Sequence, residues 1–162
     1  MRQPDAGATL ARAGDARFAL VISRFNDAIT SRLGAGARAA LAEAGAPDER
    51  VATFLVPGAF ELPQAARRIA ETGRFDAIVC LGCVIRGETS HFDYICAAAA
   101  HGLMAASGET GVPMAFGVLT TDTWEQAEAR AGEGRTNKGF EAAAAVLEMA
   151  ALFRSVRAEY GR

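Results

Sequence analysis

The chain has 162 residues, a formal charge of −2 and a 51% hydrophobic composition. That length suits one domain, which should bury roughly 68–70% of its unfolded surface. No apolar run approaches the roughly 20 residues of a membrane span, no basic stripe marks a nucleic-acid binder, and Met1-Arg2-Gln3-Pro4-Asp5 opens no signal peptide.

Residues 1–16 alternate small and charged types without a period and are expected to form a flexible N-terminal arm, leaving residues 17–162 as a single domain. The apolar, β-branched run at 18–22 predicts a buried strand. Asn26 or Asp27 can cap the helix that follows, in which Ile29, Leu33, Ala37, Ala40, Leu41 and Ala44 recur at helical spacing until Gly45 and Pro47 end it. A second strand is expected at 51–56. A second helix carries Leu62, Ala66, Ile69 and Ala70, with Pro63 early and Gly73 at its end. A third strand at 75–84 precedes a helix over about 90–107. A fourth strand at 112–119 precedes a short helix at 124–131 and a long one at 139–156. Strands alternate with helices, and the strands are apolar runs rather than half-polar alternations, which predicts a parallel sheet covered on both faces.

Ala supplies 37 of the 82 residues in the hydrophobic class, so bulky core residues are scarce. Ala buries little area, and part of the stabilising burial is therefore expected between subunits. Arg occurs 16 times and Lys once, at Lys138. Arg is barred by its fixed high pKa from roles that need a compact, titratable amine, which singles out Lys138.

Ligands of an open α/β sheet bind beyond the carboxyl ends of its strands. The segments predicted there are Ser23-Arg24-Phe25-Asn26, Pro57-Gly58-Ala59-Phe60-Glu61, Ile85-Arg86-Gly87-Glu88-Thr89-Ser90-His91 and Thr120-Thr121-Asp122-Thr123. They hold aromatics, an amide, carboxylates, hydroxyls, two Arg and a His, whereas the opposite connections are ordinary Gly, Pro and charged turns. Thr89 and Ser90 can cap the third helix and leave N–H groups whose donors and dipole suit a phosphate. His91 can move protons near neutral pH, or serve equally as a packing or capping residue. Glu61 beside Phe60 fits a polyol bound against an aromatic face, or simply an acid in an early helical turn. Phe25-Asn26 repeats that pairing of stacking surface and polar reader.

Other motifs fail on geometry. Cys80-Leu81-Gly82-Cys83 has a redox or zinc form, but within a strand positions three apart point to opposite faces. Three Cys without a secretory signal predict a reducing cytoplasm and no disulfide framework. Gly132-Glu133-Gly134-Arg135-Thr136-Asn137-Lys138 hints at a phosphate loop, yet Asn137 stands where that loop has Gly and no Ser or Thr follows Lys138.

Taken together, the stretches Arg24-Phe25-Asn26, Pro57-Gly58-Ala59-Phe60-Glu61-Leu62-Pro63, Gly82 through Tyr94, Phe116 through Asp122, Glu125-Gln126-Ala127 and Asn137-Lys138-Gly139 resemble the lumazine synthase family of riboflavin biosynthesis, in family order from about residue 18 onward. The resemblance implies a flavodoxin-like three-layer α/β sandwich with a four-stranded parallel sheet. It implies condensation of 5-amino-6-ribitylaminouracil with 3,4-dihydroxy-2-butanone 4-phosphate, without metal or cofactor. By the same resemblance Phe25 stacks on the pyrimidine beside Phe60, Asn26 and Glu61 contact the ribityl chain, and backbone groups of Ala59, Val84 and Ile85 read the heterocycle. Gly87, Glu88 and Thr89 hold the phosphate, and His91 transfers protons. Phe116, Arg130 and Lys138 come from a neighbouring subunit, Arg130 on phosphate and Lys138 on the pyrimidine side. Implied partners are further copies, as a pentamer, decamer or icosahedral 60-mer, with riboflavin synthase as a candidate companion. Two other readings fit the same residues: a non-catalytic flavin or lumazine binder, and a shell protein with a vestigial pocket.

Overall fold

Every residue of β1 (Phe18–Ser23) is buried, which requires a strand on either side and a helix layer on each face. The computed structural model describes residues 8–161 and provides both. β2 (Val51–Val56), β3 (Ala77–Ile85) and β4 (Met114–Thr121) complete a parallel sheet in the order β2-β1-β3-β4. α1 (Asp27–Glu43) and α5 (Lys138–Tyr160) pack together on one face, with α4 (Trp124–Arg130) beside β4. α2 (Leu62–Glu71) and α3 (His91–Thr110) cover the other. This is the expected flavodoxin-like three-layer sandwich. No helix among the described residues is long and apolar enough to cross a membrane.

Two apolar clusters flank the sheet. Phe18, Leu33, Leu41, Leu81 and Leu147 gather under α1 and α5, while Val21, Leu62, Ile78 and Leu103 gather under α2 and α3. Cys83 belongs to the first cluster and Cys80 to the second, so the two thiols face opposite sides of β3.

Several boundaries differ from the sequence reading for local reasons. β3 starts at Ala77, because Asp76 is engaged in a backbone and side-chain exchange with Arg17, and Phe75 turns edge-on to Phe54 with ring centroids 5.9 Å apart. β4 starts at Met114; Pro113 has no N–H for the ladder, but its carbonyl still accepts from the Ile78 N–H at 3.0 Å. β2 is an edge strand with Thr53, Phe54 and Leu55 exposed, so the sheet is not covered everywhere.

The expected arm needs a correction. Residues 1–7 lie outside the described residues, but Ala13 and Ala16 are buried and Leu10 and Ala11 pack against the core. The Ala13 N–H donates to the Ala44 carbonyl at 3.0 Å, and Arg154 Nη1 donates to the Ala13 carbonyl at 2.8 Å. Small side chains and satisfied backbone groups dock this stretch against α1 and α5, although its composition has no period.

The junction of α1 and α5 is the tightest place in the fold. Buried Asn137 donates through Nδ2 to the carbonyls of Arg32 and Gly132 at 3.1 and 2.7 Å. Its Oδ1 accepts from the N–H groups of Gly139 and Phe140 at 2.8 and 3.2 Å, capping α5. A Cβ at Gly139 would overlap the Leu33 carbonyl, and one at Gly36 would overlap the Asn137 amide. Asn137→Asp keeps the cap but turns an acceptor toward two carbonyls, and is expected to cost about 1–3 kcal/mol or more of stability. Gly139→Ala should cost a similar amount, roughly 1–3 kcal/mol, by overpacking. Denaturant unfolding of both variants measures this.

Candidate active site

From β1 the chain runs outward to β2 and returns to β3 on the other side, so the connections diverge and leave a crevice at the carboxyl ends of the strands. A cavity of about 760 Å³ occupies it, lined by Phe25, Pro57, Gly58, Ala59, Phe60, Glu61, Cys83, Val84, Ile85, Gly87, Thr89, His91, Phe92 and Ile95.

The first wall is the β1–α1 connection. The N–H groups of Arg24 and Phe25 donate to the carbonyls of Val56 and Pro57 at 2.8 and 3.0 Å, which ties this loop to the end of β2. Phe25 is left 69% exposed over the cavity, an uncommon setting for a large ring unless something stacks on it. Asn26 follows in the left-handed region at φ 60°, where Asn is one of the few residues tolerated. It stands at the N-cap of α1 but makes no side-chain cap bond; its Nδ2 donates to the Cys83 carbonyl at 3.0 Å instead, joining β1 to β3.

The second wall is the turn Ala59–Glu61 ahead of α2. Phe60 is exposed, and a Cβ at Gly58 would stand 3.2 Å from Glu61 Oε2, so the glycine makes room for that carboxylate. The third wall is the loop 86–90 leading into α3. Ser90 sits at the N-cap without a side-chain cap bond, contrary to the capping role expected of it; only Thr89 Oγ1 accepts weakly from the His91 N–H at 3.4 Å. Among the described residues no acceptor takes the N–H of Gly87, Glu88 or Thr89. These donors sit at the positive end of a 20-residue helix, an arrangement that favours an anion. His91, the first helical residue, is exposed on the same cavity.

The remaining predicted residues lie elsewhere. Phe116, Arg130 and Lys138 line a separate cavity of about 460 Å³ between β4 and α5. Arg130 Nη1 donates to the Gln126 carbonyl at 2.9 Å. Lys138 Nζ donates to Glu141 Oε2 at 2.7 Å, and Glu141 is only 9% exposed, with Oε1 lacking any partner among the described residues. Asn26 and Glu88 belong to the connecting loops but line neither cavity. Sequence reasoning missed Glu141; its only signal was its place three residues after the lone Lys on a helix. It also missed the structural work of Asn137.

Residues 15–154 match the model of the 6,7-dimethyl-8-ribityllumazine synthase family. The chain belongs to this family. It is 52% identical over 144 residues to the 6,7-dimethyl-8-ribityllumazine synthase of Deinococcus radiodurans, covering 89% of this chain and 93% of that relative. Those of Chlorobium phaeovibrioides and Chlorobium luteolum are 53% and 51% identical over the same length and coverage. The matched region contains every residue that lines the two cavities described above.

Thiol chemistry has no foothold in that site. Burial pushes the Cys80 thiol up to about 12 and the Cys83 thiol up to about 11. A group whose pKa is raised stays a thiol at pH 8, and the thiolate is the reactive form. Among the described residues no three His, Cys, Asp or Glu side chains converge as metal ligands. A thiolate-selective reagent at pH 8 should therefore modify no more than one of the three Cys, Cys96, in the native protein. All three should react after denaturation.

Proposed function

We propose that the chain condenses 5-amino-6-ribitylaminouracil with 3,4-dihydroxy-2-butanone 4-phosphate, giving 6,7-dimethyl-8-ribityllumazine, phosphate and water, in a site that two subunits share. The observation that carries the shared site is the division of the predicted residues. Phe25, Phe60, Glu61, Thr89 and His91 line one cavity of a chain, whereas Phe116, Arg130 and Lys138 line the other. Two copies packed with one cavity against the other bring the sets together.

In this reading Phe25 stacks on the pyrimidine, and Phe60 supports it from the side. Backbone groups of Ala59, Val84 and Ile85 read the ring edge. Glu61 accepts hydrogen bonds from ribityl hydroxyls, as does Asn26 through the Oδ1 that its bond to Cys83 leaves over. The N–H groups of Gly87 and Glu88 and the Thr89 hydroxyl hold the phosphate, with Arg130 of the neighbouring copy closing over it. Lys138 of that copy, held by Glu141, reaches the pyrimidine side.

The nucleophile belongs to the substrate. Its amine attacks the ketone, water leaves as the imine forms, phosphate is eliminated to leave an enol, and the ribityl-bearing nitrogen attacks the carbonyl of that enol's keto form, closing the ring with loss of a second water. His91 is placed to carry protons in these steps. Holding two substrates in contact can contribute roughly 7–11 kcal/mol in well-oriented cases. A positioned proton-transfer group adds less.

The proposed unit is a pentamer with sites between adjacent copies, able to stack or close into larger shells. Exposed Leu55, Tyr94, Met104 and Leu152 supply apolar surface for such contacts. A cytoplasmic setting and riboflavin synthase as a companion complete the reading.

Two measurements of lumazine formation against the uncatalysed background test it. His91→Ala should lower kcat by about 10²-fold yet leave measurable turnover, since acid–base transfer is only part of the acceleration. Arg130→Ala and Thr89→Val should each be impaired alone, but unfolding and refolding them together should restore activity, because some interfaces then combine an intact half from each. Failure of the mixture to recover, in particles of native size, would overturn the shared site.

A further inference from the structure

Arg86 lies beside the proposed phosphate cradle yet lines neither cavity. Its backbone N–H donates to the Thr121 carbonyl at 2.9 Å. Its Nε donates to Asp122 Oδ1 at 2.8 Å, and its Nη1 lies 3.3 and 3.5 Å from the two carboxylate oxygens of Asp93. The guanidinium carbon stands 4.3 Å over the centre of the Phe92 ring. One planar group thus joins the end of β3, the first turn of α3 and the β4–α4 turn. That last turn is itself held, because the Asp122 N–H donates to Gln126 Oε1 at 2.8 Å.

Between the clamped ends the loop has little support of its own. Gly87 through Ser90 are exposed, and a Cβ at Gly87 would meet open space. The Thr89 hydroxyl contact to the His91 N–H is long at 3.4 Å. Backbone donors on so bare a loop bind an anion well only if something outside the loop holds them in place beforehand.

We propose that Arg86 is a positioning residue for phosphate recognition: it fixes both ends of the 87–90 loop so that the N–H groups of Gly87, Glu88 and Thr89 point at the anion, without touching the anion itself. Two carboxylates already neutralise its charge, which removes it as a direct phosphate partner. A planar fork is needed here, since a point charge cannot serve two carboxylates and stack on a ring together. Exposed ion pairs of this kind add little to overall stability, so the role shows in binding rather than in melting.

The inference rests on the loop being the phosphate cradle, and the test separates the two ideas. The assembled protein is assayed as native chain, Arg86→Met, Arg86→Lys and Thr89→Val, reading KM for each substrate and inhibition by inorganic phosphate. Arg86→Met should raise both KM for the butanone phosphate and the inhibition constant of inorganic phosphate roughly tenfold, about the loss of one charge-assisted hydrogen bond. KM for the ribitylaminouracil and the melting temperature should stay close to native, and Arg86→Lys should fall in between. Equal rises in both KM values would make Arg86 a general structural residue and overturn the proposal. Weaker phosphate inhibition in Thr89→Val but not in Arg86→Met would overturn the role of Arg86 alone. Unchanged inhibition in both would overturn the cradle and the proposal together. Should Arg86→Met fail to assemble, Asp122→Asn loosens the same clamp from its acidic side and is expected to reproduce the selective rise.

Discussion

The Asn137 amide, sunk between α1 and α5, gives two hydrogen bonds and accepts two, and the placement of α5 against the rest of the fold depends on it. One donor contact holds the loop that returns from α4 at Gly132, the other ties that loop to α1 at Arg32, and its acceptor starts α5. Because a buried amide with four satisfied bonds admits one orientation, the first turn of α5 has one rotational setting. That setting turns Lys138 and Glu141 toward β4 and Phe116, while bare Gly139 lets the helix settle against Leu33. Helix propensity alone would not specify this register, since Ala142 to Ala145 would fit several.

The other cavity depends on the sheet. Parallel strands bring four connections to one edge, three of which wall the first cavity, and the divergence at β1 and β3 keeps them apart there. The Asn26 bond to Cys83 and the two bonds from Arg24 and Phe25 to the end of β2 knit the rim together. What results is a mostly apolar cleft with unpaired donors at one end. Such a place suits a reaction whose reagents bring their own nucleophile, where alignment matters more than reactive side chains.

How far the sequence could be read follows from what each residue senses. β1 and β3 are legible because residues buried on both faces must all be apolar. β2 is legible as a strand at 51–56 but not as an edge, because its exposed Thr53, Phe54 and Leu55 reflect a missing neighbour, which composition does not encode. The docking of residues 10–16 was hidden for a similar reason: Ala13 and Ala16 have no period, and their burial comes from Ala44 and Arg154, far along the chain. In the site, the carboxyl-edge rule found the loops holding Phe25, Glu61 and His91. Phe116 and Arg130 came only through family resemblance, and Lys138 stood out beforehand only as the lone Lys, since no spacing rule sends residues of one chain to a different cavity. Asn26 and Ser90 show the limit of local capping rules, because the amide is drawn away by Cys83 and the hydroxyl makes no cap bond.

The left-handed turn at Asn26 restricts how this rim can change over time. Most side chains resist a φ of 60°, so the tolerated replacements reduce to glycine and a few short polar residues. Glycine would keep the turn while untying β1 from Cys83. Drift at this position therefore offers a narrow passage toward a looser mouth, and lineages or engineers seeking bulkier heterocycles would have to travel through it.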